Sequence, residues 1–272
     1  MNVSGIEAAN EVNSVSAITD ILYKQSDFTI ILISMFSLVA MGHLLYGFCR
    51  LCFSRFRVKE EPYYGVTIIG TALSLTALLL IFTLMQAMGI VTQTHKMVVT
   101  EVESLYKVKS SCLLVSTEDC KAITNALDHY VRSILSSDWP KPPDHDTQSS
   151  YESLVVCLRD IIRKHASDTV ERQNLLVAMD SMIKARHERM LNTGKEIPKA
   201  FFGATFCLIT SFVVFFYLLA PPNGFSQLVL ALLLSFIGTL LGLVIVYDHP
   251  YDGDSGITQA EFLPTLQALL KN

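Results

Sequence analysis

Residues 28–49, 65–90, 198–219 and 225–247 form four apolar runs of 22–26 residues, in which the only Asp, Glu, Lys or Arg is Lys199 at the entrance of the third. A hydrocarbon layer about 30 Å thick is crossed by about 20 helical residues, so each run has the length of a span. Inside lipid every backbone N–H and C=O must be bonded within the protein, which leaves helices or closed barrels. The runs are too long and too unalternating for barrel strands. A chain of 272 residues that is 51% hydrophobic and 17% charged also holds more apolar surface than one soluble core can bury. Four transmembrane helices are therefore expected.

The first two spans are joined by Arg50, Arg55, Arg57 and Lys59, then Glu60-Glu61-Pro62, and the last two by the turn sequence Pro221-Pro222-Asn223-Gly224. Each pair reads as a hairpin. Residues 91–197 between them have globular composition and helical periodicity. The expected fold class is an all-α integral membrane protein, two plus two spans flanking a helical soluble domain, with an N-terminal segment 1–27 and a tail 248–272.

No breaker follows the second span between Thr92 and Lys109, so that helix is expected to continue as a stalk. Ser116 or Thr117 with Glu118 and Asp119 marks a helix start, and Ile123, Leu127, Tyr130, Ile134 and Leu135 form its apolar face. Leu154, Leu158, Ile161 and Ile162 predict a second stripe; Leu176, Ile183, Met190 and Leu191 predict a third, stopped by Gly194. Trp139-Pro140-Lys141-Pro142-Pro143-Asp144 breaks any helix and reads as an exposed loop. Thr258-Gln259-Ala260-Glu261 has a capping-box pattern. It opens a tail helix whose Phe262, Leu263, Leu266, Leu269 and Leu270 are expected to pack on the domain or a neighbouring subunit, because its polar face lacks bases.

Lys96, Lys107, Lys109, Lys184, Arg186, Arg189, Lys195 and Lys199 flank the membrane on the domain side, against four bases in the first loop. By the positive-inside rule the domain and both termini are cytoplasmic. The six cysteines include no CxxC metal or redox arrangement beyond the isolated Cys49 and Cys52, and are expected to be free thiols in a reducing compartment. The first apolar run starts too late and runs too long for a cleaved signal peptide. A net charge of −4 without a long basic run argues against duplex DNA as a partner.

No Walker loop, GxGxxG, GxSxG or HExxH occurs, and the carboxylates of the central helices are expected on solvated faces, so catalysis is not expected. No cofactor is expected. Asp248, Asp252 and Asp254 are a candidate cation site, but as an EF-hand the run fails, with Pro250 and Gln259 at ligand positions; a turn directing the tail helix is preferred to Ca²⁺. His43 is read as lying at headgroup level. Gly238 and Gly242 form a GxxxG, which lets helices pack closely. Thr67, Thr71 and Ser74 make a polar stripe on the second span that continues as Leu78, Ile81 and Met85, a vestibule narrowing to an apolar collar of the kind that closes by dewetting. The alternative for that stripe is ordinary packing, with the hydroxyls bonded to the preceding turn.

Further motifs are Glu101-Val102-Glu103-Ser104-Leu105, Leu127-Asp128-His129-Tyr130-Val131 leading to Asp138-Trp139-Pro140, Arg186-His187-Glu188-Arg189-Met190 before Ile197-Pro198, and Asp248-His249-Pro250-Tyr251-Asp252-Gly253. In their order and spacing the chain resembles the bacterial bestrophin-like family, related in architecture to bestrophin anion channels. The resemblance implies a bacterial inner-membrane protein, a cytosolic helical domain, and a homo-oligomer, tetramer or pentamer, whose second spans surround a central axis. It favours an ion channel gated through that domain. Two alternatives stand beside it. One is a membrane effector of antiphage defence that disrupts the membrane potential under control of a nucleotide or oligonucleotide from a partner nucleotidyltransferase, bound at Arg159, Arg163, Lys164 and Arg172. The other is a non-conducting scaffold.

Overall fold

The computed structural model describes residues 26–52, 62–137, 139, 145–164, 169–192, 197–221, 223–251 and 253–270. Among them are eight helices and no strand: α1 (Asp27–Cys52), α2 (Pro62–Cys112), α3 (Thr117–Ser136), α4 (His145–Lys164), α5 (Thr169–Asn192), α6 (Lys199–Leu219), α7 (Gly224–Asp248) and α8 (Gln259–Leu270). Arg55, Arg57 and Lys59, the prolines of 140–144, the stop at Gly194, Lys195 and Asp252 lie outside the described residues. Four helices, α1, α2 from Gly65, α6 and α7, are long and apolar enough to cross a membrane. Their surfaces are those of helices meant for lipid or other helices: Leu44 is 76% exposed and Leu232 62% exposed. Water would oppose such exposure at about 25 cal/mol per Å².

The chain divides into two compact units. The first comprises the described residues of Met1–Ile90 and Glu196–Gly256. In it α1 and α7 approach so closely that a Cβ on Gly238 would lie 2.7 Å from Met35 Cα, and one on Gly242 2.8 Å from Ile31 Cα. Only a missing side chain permits that spacing. Tyr46 and Tyr217 meet edge-to-face at 5.3 Å, and Phe212, Leu230, Leu234 and Ile237 complete the core around them. Asn223 caps α7, its Oδ1 accepting from the Ser226 N–H at 2.8 Å.

The second unit comprises the described residues of Val91–Lys195 and Ile257–Asn272. Ser116 caps α3 by accepting from the Asp119 N–H at 3.2 Å. Ile123, Leu127, Tyr130 and Ile134 of α3, and Leu154, Leu158, Ile161 and Ile162 of α4, are buried as their spacing predicts. Helix α8 joins this core through Phe262, Leu266 and Leu269. Gln259 donates to the Ile134 carbonyl at 2.8 Å and Tyr106 to that of Thr265 at 2.8 Å. Lys109 donates to the Leu269 carbonyl at 2.5 Å, placing a cation at the α8 C-terminus, where the helix dipole favours it.

The structure corrects three expectations. The buried face of α5 is Leu175, Ala178, Met182, Ala185, Arg186 and Arg189, while Leu176 is 38% and Leu191 66% exposed. A search for carbon at helical spacing misses a face that carries two guanidinium groups. Trp139 is not in an exposed loop: it is 4% exposed and stacks edge-on against Phe262 at 5.7 Å. The carboxylates of the helical unit are not all solvated, since Glu101 is 1% and Asp119 5% exposed.

Candidate functional site

Helix α2 carries two stripes of opposite character. Among its buried residues, Thr76, Leu80, Thr83, Ala87, Thr94, Val98, Glu101, Leu105, Val108 and Cys112 recur at spacings of three, four or seven, a 3.5-residue repeat suited to a seam between packed helices, and Val102 and Ser104 widen that face in the helical unit. The second stripe, Thr67, Thr71, Ser74, Leu78, Ile81 and Met85, alternates spacings of four and three and is exposed throughout. Leu78 is 51%, Ile81 45% and Met85 64% exposed. The Thr71 hydroxyl donates to the Thr67 carbonyl at 2.9 Å and that of Ser74 to the Gly70 carbonyl at 2.8 Å. Their protons are thus bonded to the preceding turn, as the packing alternative for this stripe expects.

In the second unit, side chains from four helices meet in a buried polar cluster whose charges come from α2 and α5. Glu101 of α2 faces Arg189 and Arg186 of α5: Arg189 Nε donates to Glu101 Oε2, and Arg186 Nη1 lies 3.9 Å from Glu101 Oε1. Arg186 also donates to the Tyr130 hydroxyl of α3 at 2.6 Å and to Gln148 Oε1 of α4 at 2.8 Å. The Tyr130 hydroxyl in turn donates to Glu101 Oε1 at 3.4 Å. Tyr151 lies under the Arg186 guanidinium at 4.2 Å, and Trp139 lies 5.9 Å from that of Arg189. Burial first, then the Glu101 carboxylate, push the Tyr130 phenol far above its ordinary range, against the pull of Arg186 and Arg189. The phenol therefore remains a neutral donor. With Glu101 accepting from both sides, these groups hold helices together and leave no free nucleophile or base.

The remaining candidates fall elsewhere. Asp248 is 7% exposed and its Oδ1 accepts from the Ile197 N–H at 2.7 Å, fixing the entry to α6. The backbone N–H of Asp254 donates to Asp27 at 3.1 Å, and that of Ser255 at 2.8 Å, around Gly253 at φ +77°. Among the described residues, no group of three His, Cys, Asp or Glu side chains could hold a metal ion. Arg159 and Arg172 are exposed; Arg163 lies 3.8 Å from Asp160, and Lys164 donates to Asp119 at 2.9 Å. That bond raises the Lys164 pKa, with the Asp119 charge adding to it. His43 pairs through Nδ1 with the Val39 carbonyl at 2.9 Å, and Gly238 and Gly242 are occupied by α1.

The profile of the Bestrophin-like domain matches residues 38–262, which include the whole exposed α2 stripe and every member of the buried cluster. The chain belongs to the bestrophin-like family. Comparison with curated proteins and with solved structures finds no match. In this bestrophin-like chain the sequence motifs acquire a physical meaning. Glu101, Tyr130, Trp139, Arg186 and Arg189 come from three of them and meet in one core, while Ile197, at the end of the third, is bonded to Asp248 of the fourth. Sequence reasoning used these residues to mark the family, and counted Arg186 and Arg189 as membrane-flanking charge. Their helical spacing relative to Met182, and that of Glu101 relative to Val98, is the signal that places them inside.

Proposed function

We propose that this bestrophin-like membrane protein is a homo-oligomeric ion channel in which the α2 helices of a tetramer or pentamer surround the conducting axis and the helical unit controls opening. The observation that carries this reading is the exposed α2 stripe. Six residues in a 3.5-residue repeat, polar over Thr67, Thr71 and Ser74 and apolar over Leu78, Ile81 and Met85, lie uncovered in one protomer. That period suits a helix packing into a left-handed bundle of its own copies. Hydroxyl lone pairs would wet one end, and the apolar collar would close by dewetting. Removing the buried Arg186 and Arg189 from the eight domain-side bases leaves six against the four of the first loop, which still favours a cytoplasmic helical unit in a bacterial inner membrane.

Reconstitution of the purified protein in planar bilayers tests the reading. Wild type should conduct, and Leu78→Asp with Ile81→Asp should abolish its closed state by wetting the collar. A folded oligomer silent under every voltage and ligand tried, or a double variant gating as wild type does, would overturn it.

A further inference from the structure

The corner between α2 and α3 holds two thiols. Cys112 closes α2 and is 2% exposed, whereas Cys120, in the first turn of α3, is half-buried; both are free. Only residues 113–116 separate the two helices. Cys112 Sγ lies 3.8 Å from Thr124 Oγ1, and that hydroxyl donates to the Cys120 carbonyl at 2.9 Å, so Thr124 ties the two cysteine positions together. Both cysteines line one open pocket of about 590 Å³, with Lys121 and Asn125 at its wall. Burial, then the adjoining Cys120 thiol, push the Cys112 thiol up to about 11. Cys112 therefore stays protonated at neutral pH and is the more buried of the two. The other cysteines are placed differently: Cys157 is half-buried on α4, Cys49 and Cys52 lie on α1, and Cys207 on α6.

We propose that Cys112 and Cys120 form a redox-modifiable dithiol, which a small-molecule disulfide oxidises to an intramolecular bridge across the α2–α3 corner. The Cys120 thiolate attacks one sulfur of the small disulfide, giving a mixed disulfide and releasing one small thiol. Cys112, losing its proton, then attacks the Cys120 sulfur, forms the bridge and expels the second small thiol. Two protein thiols are oxidised and one small disulfide is reduced to two thiols. Proximity compensates for the high Cys112 pKa, because the second step is intramolecular. The proposal is independent of conduction.

The test treats the full chain in detergent with oxidised glutathione, quenches by alkylation at low pH, and maps peptides without reduction. Wild type should yield a Cys112–Cys120 bridge with little glutathione retained on Cys120. In Cys112→Ser the glutathione should remain on Cys120 in most of the protein, and in Cys120→Ser the Cys112 peptide should emerge unmodified. Retention of glutathione on Cys120 in the wild type, or bridging of either thiol to another cysteine, would overturn the proposal. Should Cys112→Ser not fold, the wild-type map and the Cys120→Ser map decide the matter alone.

Discussion

Replacing Glu101 by Gln would keep the shape of the buried cluster and most of its packing while removing the carboxylate that faces Arg186 and Arg189. The three residues are 1%, 4% and 0% exposed, so water cannot take over its role. Breaking a buried ion pair by removing one partner costs about 3–5 kcal/mol, because the surviving charge remains desolvated. Against total stabilities of about 5–15 kcal/mol, that is enough to loosen the helical unit. The chain supplies its own probe, since Trp139 is its only tryptophan and lies beside Arg189 and Phe262. Denaturant titration followed by Trp139 emission should show a midpoint well below that of wild type. A double-mutant cycle with Arg189→Met should return a coupling of about 0.5–3 kcal/mol, as for residues in one network. A loss under about 1 kcal/mol for Glu101→Gln, the size of an exposed pair, would refute the claim that this carboxylate holds the core together.

Gly242→Leu must force α1 away from α7 and should cost about 1–3 kcal/mol in thermal stability in detergent, whereas Gly47→Ala, with nothing within 4 Å of its added carbon, should be neutral. Asp248→Ala leaves the Ile197 N–H without its acceptor and should cost about 1–3 kcal/mol, read by the same melt. The Cys112 thiol is raised in the fold from about 9 to about 11, so the native state holds its proton more tightly than the unfolded chain. That contribution is complete below pH 9 and is lost as pH rises toward 11. Trp139 emission should therefore report weakening over that window, reduced in Cys112→Ala.

The membrane-spanning helices were legible because a helix that runs so far without charge can be surrounded only by lipid or by other apolar helices. The faces of α3 and α4 were legible for a similar reason: their buried positions are carbon. Helix α5 was not, because its buried face alternates Met182 and Ala185 with Arg186 and Arg189, and an arginine is hidden only where a partner waits. That partner, Glu101, lies 88 residues earlier in the chain than Arg189, and no local pattern announces it. Trp139 was misplaced because the prolines after it end a helix, and ending a helix says nothing about where the preceding indole goes. For the α2 stripe the period was readable, whereas its exposure depended on where the neighbouring helices came to rest.

Each compact unit is assembled from two stretches of chain interrupted by the other. Tyr46 must wait for Tyr217, 171 residues later, which at ribosomal rates of about 5–20 residues per second is roughly 10–30 s. Throughout that interval α1 stands in the bilayer with its glycine-facing side unclaimed. The helical unit, for its part, receives Leu266 and Leu269 only after all four apolar helices have been made. A nascent chain stalled after α5 would therefore own neither finished core, and a truncation that spares every span but removes α8 should be cleared by proteases as an unfinished protein.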